Sequence, residues 1–218
     1  MSNQKLVSKT VAFVKEKFEH DSTGHDWWHL YRVWQLSKHI AAKENGANLE
    51  VVELGALLHD IADFKFHDGD LSAGPKAARE WLTSIGASET TIKAVCHIVE
   101  NVSFKGADAK NKMRSLEGKI VQDADRLDAI GAIGLARLFA YAGSNGNLIY
   151  HPDIKPRTFK DHKEYVNYKT TSINHFYEKL LLLKDRMNTK TGRAMAKHRH
   201  KILEDYLQEF YAEWDGKL

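Results

Sequence analysis

The sequence predicts an all-α protein, and three observations point there. Apolar residues recur at three- and four-residue spacing along most of the chain. No segment carries a convincing period-two alternation of a half-buried strand. Only 3 prolines interrupt the 218 residues, which suits long helices. The expected architecture is a single helical bundle over residues 1–218, with its core at about 24–142 and a C-terminal helical extension at about 160–215.

Each element has its own signal. Leu6, Val7, Thr10, Val11, Phe13, Val14 and Phe18 form the stripe of a first amphipathic helix. Trp27 to Lys43 makes a second, with Val33, Leu36 and Ile40 along one face. Asn48 is placed to cap a third, Leu49 to Ile61. Phe64 to Gly74 is polar and glycine-containing and reads as loop, and Pro75 then suits the first turn of a fourth helix ending near Gly86. Ser88, three residues before Thr91, is placed to cap a fifth helix that runs through Val99. Val102 to Arg114 reads as loop. Leu116 to Gly143 carries apolar residues at helical spacing, and Gly143 to Lys160 is irregular and holds the other two prolines. A loop of that length in a compact domain is usually functional or mobile. Two long helices are expected to close the chain, Asp161 to Met187 and Thr191 to Trp214.

Composition narrows the class. The chain is 43% hydrophobic and 28% charged, with a formal net charge of +3. A nucleic-acid-binding protein would concentrate a larger basic excess, so no stable nucleic-acid partner is expected. The local exception runs from Lys184 to Lys201, where Arg186, Lys190, Arg193, Lys197 and Arg199 cluster with His198 and His200. Asp185, Glu204, Asp205, Glu209 and Glu213 offset it, and a solvated amphipathic face accounts for it. One cysteine, Cys96, excludes an intramolecular disulfide and suits a reducing compartment. Met1 to Thr10 lacks the apolar centre of a signal peptide, and no apolar stretch reaches bilayer length. A cytoplasmic protein without a membrane partner is the expectation, and a homodimer is compatible with it.

The most informative pair is His59-Asp60, at the end of the apolar run Val51 to Leu58. Neither side chain is cheap to bury unless something neutralises or coordinates it. His29 lies in Trp27-Trp28-His29-Leu30 and Asp125 in Ala124-Asp125-Arg126-Leu127, each on another predicted helix. A lone helical histidine, or an isolated His-Asp pair, is ordinarily a core or surface feature. The four together, spread over separate amphipathic helices, offer two imidazoles and two carboxylates to one ion. Mn²⁺, Fe²⁺, Co²⁺, Ni²⁺ and Zn²⁺ tolerate that mixed shell, whereas Mg²⁺ and Ca²⁺ favour oxygen.

The spacing of His29, then His59-Asp60, then a distant aspartate resembles the HD superfamily of metal-dependent phosphohydrolases. Leu57-Leu58-His59-Asp60-Ile61-Ala62-Asp63 and Asp123-Ala124-Asp125-Arg126-Leu127-Asp128 match its two most diagnostic segments. Gly24 to His29, Phe64-Lys65-Phe66, Asp128 to Ala132 and Met187 to Gly192 further resemble a bacterial subgroup of stand-alone HD proteins. Some members hydrolyse nucleoside triphosphates to the monophosphate and pyrophosphate. The resemblance therefore implies an HD-domain bundle that binds a divalent ion, Mn²⁺ first, through His29, His59, Asp60 and Asp125. The His-Asp loop itself adds no further histidine, which favours one ion, and the nearby His67 and Asp68 leave a second open. Ni²⁺, Co²⁺, Fe²⁺, Zn²⁺ and Mg²⁺ remain alternatives. Asp123, Asp125 and Asp128 lie close together, and the family's Ala-Asp-Arg/Lys-Leu core selects Asp125 as the ligand.

Further roles follow from position and chemistry. Asp63, four residues after His59 on the same helix face, is the candidate to orient or deprotonate the attacking water, although capping the helix end or steering His59 are equal readings. Lys65 and Arg126 are candidate phosphate contacts, each also readable as a solvated cation. Asp128, one turn past Asp125, is a candidate substrate or supporting group, and Arg32 a weaker one. His97 lies on an apolar helix, where a satisfied core histidine is the default and a substrate contact the alternative. Asp26 is read as the cap of the second helix, and Trp27, Trp28 and Trp34 as core aromatics rather than a platform for a base. The expected activity is cleavage of a nucleotide substrate, a nucleoside or deoxynucleoside triphosphate, to monophosphate and pyrophosphate. A nucleoside 5'-monophosphate phosphatase or phosphodiesterase of the same fold is the alternative, and a non-catalytic nucleotide-sensing domain is the alternative of another class.

Overall fold

The computed structural model describes residues 3–19, 26–61, 72–104, 111–158 and 170–218. Among them the chain is all-helical and contains no strand. The helices are α1 (Asn3–Phe18), α2 (Trp27–Ala41), α3 (Leu49–Leu58), α4 (Ala73–Ser84), α5 (Glu89–Asn101), α6 (Leu116–Asp128) and α7 (Gly131–Ser144), followed by α8 (Ser172–Glu178) and α9 (Lys190–Trp214). Two 3₁₀ turns, Leu180–Leu182 and Lys184–Arg186, stand between the last two. Among the described residues no helix is long and apolar enough to cross a membrane. The chain divides into two compact units, Met1–Ser103 with Asn111–Asp125 and Phe104–Lys110 with Arg126–Leu218.

In the first unit, α3 is the central helix and packs against α1, α2 and α5. Its sequence explains why: Val52, Leu54, Ala56, Leu57 and Leu58 are all fully buried, so nearly its whole surface needs neighbours. Asn48 caps it, accepting from the Glu50 and Val51 amides at 3.1 and 3.4 Å. Ser88 likewise caps α5 by accepting from Thr91 N at 3.1 Å. Each such cap contributes about 1 kcal/mol.

Polar bonds set the directions of the helices around α3. Thr91 Oγ1 donates to Glu50 Oε1 at 3.0 Å near the start of α3. Farther along, a Cβ on Gly55 would stand 2.9 Å from Ile98 Cδ1 and 3.6 Å from Val121 Cγ2. Asn48 N donates to Glu117 Oε1 at 2.9 Å. Residue numbers rise together on α3, α5 and α6, so these three helices run parallel. α2 runs the other way, with Trp34 Nε1 donating to Glu53 Oε1 at 3.0 Å. Its buried stripe is Leu30, Val33, Ser37 and Ile40. The small Ser37 replaces the expected Leu36, which is only half-buried.

The second unit departs from the expected pattern at two places. The helix expected over Leu116 to Gly143 breaks after Asp128. Ile130 is extended, at φ −126° and ψ 163°, and Gly131 has a φ of +78° that favours glycine. Asp128, 1% exposed, holds this corner. Arg137 Nη1 donates to its Oδ2 at 3.0 Å and also reaches its main-chain oxygen at 3.4 Å. Arg199 of α9 donates to Leu127 O nearby. Burial pulls the Arg199 guanidinium below its usual value, and the Asp128 carboxylate opposes that drop.

The second departure lies in the expected helix Asp161 to Met187. Its described part holds only the seven residues of α8 and the two 3₁₀ turns. Lys179 leaves helical geometry at φ −142°. Leu180 and Leu183 then bury at three-residue spacing, the period that a 3₁₀ turn places on one face. α9 begins at Lys190, capped by Thr189, whose hydroxyl accepts from Gly192 N at 2.9 Å.

Glu178, 3% exposed, gives this unit a pH signature. Its Oε1 accepts from Arg157 N at 3.2 Å and Thr170 Oγ1 at 3.0 Å, while its buried Oε2 has no hydrogen-bond partner. Burial pushes the carboxyl above its usual value, and the two hydrogen bonds and the Arg157 charge oppose that rise. A folded-state value raised above the unfolded one contributes stability at low pH that is lost as pH rises through the folded value. Glu178→Gln, which keeps a neutral acceptor at Oε1, is therefore expected to match the native chain at acid pH and exceed it at neutral pH. Thermal denaturation across pH 4 to 8 checks this, and parallel curves would contradict it.

Candidate metal centre

The helix directions explain why four distant residues meet. His59 follows the last residue of α3 as its C-cap, with Asp60 next in the turn. α6 runs parallel to α3, so Asp125, near the C-terminal end of α6, stands at the same end of the unit. α2 is antiparallel and brings its first turn there, with Asp26 as N-cap. The His29 amide donates to Asp26 Oδ1 at 2.8 Å, which confirms the capping role expected of Asp26.

The donor atoms converge. His29 Nε2 and His59 Nε2 lie 3.2 Å apart. Asp60 Oδ2 stands 3.3 Å from the first and 3.4 Å from the second. Asp125 Oδ1 stands 3.7 Å from each. His29, His59 and Asp125 offer ligand atoms all within 4.8 Å of one another. Both histidines and Asp60 are buried, while the Asp125 side chain keeps 27% of its exposure, leaving one side open to solvent.

The chemistry of this set fits a divalent ion. His59 Nδ1 lies 2.7 Å from Ala56 O, a carbonyl that only accepts, so Nδ1 carries the proton. In that tautomer the Nε2 lone pair is the one that faces His29 Nε2. Two inward-facing imidazole nitrogens beside two carboxylates form a donor set that a divalent cation between them would satisfy. Ligands about 2.1 Å from an ion at octahedral or tetrahedral angles stand roughly 3.0–3.4 Å apart, close to the spacings here. The C-terminal end of α3 adds partial negative charge on the same side.

The other candidates are placed differently. Asp63 and Lys65 lie outside the described residues, as do His25, His67 and Asp68. Arg126 is buried in the second unit and donates to Arg186 O, and Asp128 is engaged by Arg137 as described above. His97 is half-buried on α5, and its Nδ1 lies 3.2 Å from Asn101 Nδ2. Of the tryptophans, Trp27 is buried and Trp34 holds Glu53, but Trp28 is 59% exposed. Trp28 sits about 100° around α2 from His29 and makes ring contacts with Trp27 and Tyr31. Sequence reasoning missed Asn101, whose amide bonds back to His97 within α5, and Gln122, whose amide donates to the main-chain oxygens of Asn101 and Val102 and so joins α6 to the end of α5. Neither matches a motif, and only the parallel packing gives them meaning.

Comparison with known proteins agrees with this geometry. The family model for the HD domain matches residues 27–130. YpgQ of Bacillus subtilis is 35% identical over 99% of this chain and 97% of its own, and its crystal structure in complex with ADP superposes with a TM-score of 0.73, covering 95% of this chain and 97% of that one. A Lactobacillus plantarum protein of known structure is 38% identical with a TM-score of 0.88, over 99% of this chain and 100% of that one. An HD-superfamily hydrolase from Bacillus thuringiensis is 42% identical with a TM-score of 0.75, over 98% of this chain and 99% of that one. With a candidate metal site of His29, His59 and Asp125 on an HD-domain helical frame, the chain belongs to the HD-superfamily hydrolases.

Proposed function

We propose that this chain is a divalent-metal-dependent phosphohydrolase that cleaves nucleoside or deoxynucleoside triphosphates to the monophosphate and pyrophosphate. The observation that carries the reading is the convergence of His29, His59, Asp60 and Asp125 on one point. The ADP held by YpgQ supports a nucleoside phosphate as the ligand. Mn²⁺ is the ion we assign first, on the resemblance to HD phosphohydrolases, and the mixed nitrogen and oxygen set also accepts Fe²⁺, Co²⁺, Ni²⁺ and Zn²⁺.

A divalent cation held by these four residues supplies Lewis acidity toward phosphate and lowers the pKa of water. The protein residues do the rest. His59 is fixed in the tautomer that leaves Nε2 able to donate its lone pair. Asp60 and Asp125 bring the negative charge that would hold the cation beside the two imidazoles. Asp63 takes the proton as water oxygen bonds to the α-phosphorus, while the bond to the bridging oxygen breaks and pyrophosphate leaves. Lys65 places a point charge beside the phosphate chain, and His97 offers a hydrogen-bond donor to it. Arg126 and Asp128 we assign to holding the start of the second unit, because their buried side chains already engage Arg186 and Arg137. The half-buried thiol of Cys96, raised above its usual value by burial, suits the reducing cytoplasm.

Product analysis tests the reading. A panel of ribo- and deoxynucleoside triphosphates with Mn²⁺ is expected to release monophosphate and pyrophosphate in equal amounts. Asp63→Asn is expected to lower kcat by about 10²–10⁴-fold, the usual contribution of a general base. Orthophosphate as the sole phosphorus product would overturn the cleavage position, and native kcat in Asp63→Asn would remove that residue from the mechanism.

A further inference from the structure

The C-terminal end of α5 carries a hydrogen-bonded relay with a defined polarity. Asn101 Nδ2 lies 2.9 Å from His97 O, 3.2 Å from His97 Nδ1 and 3.4 Å from Glu100 Oε2. The amide cannot be turned around, because its oxygen would then face the His97 carbonyl. Asn101 therefore donates, and His97 Nδ1 accepts. The neutral ring must carry its proton on Nε2.

The same end of α5 is tied to α6. Gln122 Nε2 donates to Asn101 O at 3.0 Å and to Val102 O at 3.3 Å. Its Oε1 accepts from Asn111 Nδ2 at 2.9 Å, so this amide too has one orientation. Asn101 and Gln122 are both buried, where an amide is retained only if it is bonded. Gln122 precedes Asp125 by three residues and shares its helix face. With α3 and α5 parallel, and Glu50 beside Thr91 and Gly55 beside Ile98, the Asn101 end of α5 is level with His59-Asp60.

We propose that Asn101 and Gln122 are positioning residues for the phosphate-binding half of the site. Asn101 holds His97 as the neutral Nε2–H tautomer, so that His97 donates to an oxygen of the phosphate chain. Gln122 fixes the end of α5 that bears this pair against α6, which bears Asp125. The inference rests on the reading that a nucleotide occupies this site, and its tests separate the two.

The tautomer is measured first, by long-range proton–nitrogen NMR of the His97 ring in the full chain. The expected spectrum has an unprotonated Nδ1 and a protonated Nε2, and Asn101→Asp, whose carboxylate only accepts, moves the proton to Nδ1. A wild-type ring protonated on Nδ1 would overturn the proposal. Kinetics with a nucleoside triphosphate and Mn²⁺ provides the second readout. His97→Ala and Asn101→Asp are expected to raise KM roughly tenfold with a smaller change in kcat, as loss of one charge-assisted hydrogen bond does. His97→Gln, which keeps a side-chain N–H donor, is expected to recover most of that loss. Equal KM values in all these variants, with turnover still abolished by His59→Ala, would overturn the positioning inference and leave the hydrolase reading standing. Turnover that survives in His59→Ala would instead bring down the hydrolase reading and, with it, this inference.

Discussion

His59→Ala is expected to lower nucleotide turnover by about 10³-fold or more while far-UV circular dichroism stays at the native level. The loss is large because His59 Nε2 is one of the two imidazole nitrogens in the convergence, 3.2 Å from its partner. Without it the remaining carboxylates and His29 hold a divalent ion poorly. A Lewis acid held there would lower the barrier by several kcal/mol, and each 1.36 kcal/mol is tenfold in rate. The fold survives because His59 follows the last residue of α3 and its ring makes one bond to the helix, to Ala56 O. Removing an imidazole from a cluster of like polar groups also relieves crowding there. Steady-state kinetics beside circular dichroism checks both halves. Native turnover in the variant would contradict the assignment, and a collapsed helical signal would show that His59 acts structurally.

Gly134→Ala is expected to be the most destabilising single-methyl change in the second unit. A Cβ at Gly134 would stand 2.3 Å from Ala129 O and 2.4 Å from Ala129 C. Those are backbone atoms, which cannot swing aside as the end of a side chain can. The chain is folded back there by extended Ile130 and left-handed Gly131, and Asp128 with Arg137 fixes the corner. Overpacking against backbone costs about 3 kcal/mol or more, which lowers Tm by roughly 6–12 °C for a chain of this size. Gly143→Ala is the control, since nothing lies within 4 Å of its added Cβ. It is expected to be neutral or stabilising by about 0.5–1 kcal/mol. Differential scanning calorimetry of the two variants decides it, and equal Tm values would contradict the crowding argument.

The sequence made the first unit legible because its signals are local and agree with one another. Asn48, Ser88 and Asp26 cap the helices expected of them, and the alternation of helical stripes sets the order of α1 to α5. His29, His59, Asp60 and Asp125 were readable because polar residues that interrupt apolar stripes must be compensated. The second unit was less legible. Asp128, one turn past Asp125, reads as a substrate or supporting group, yet it is buried against Arg137, and nothing in the local pattern reports an arginine nine residues away. The run Leu180 to Leu183 fits an α-helix and a 3₁₀ turn equally well by hydropathy, and the break at Lys179, at φ −142°, leaves it as the latter. Asn101 and Gln122 carry no motif at all. The Asn101 amide takes its direction from the His97 carbonyl one turn back, and the Gln122 amide takes its own only once α5 and α6 lie side by side.

The most direct measurement of the central claim is calorimetric titration of Mn²⁺ into the metal-stripped chain and into His29→Ala, His59→Ala and Asp125→Ala. One ion bound per native chain, with binding lost or weakened at least tenfold in each variant at unchanged helix content, is the predicted result. Native-like binding in all three variants would contradict the claim that these helix ends form the metal centre.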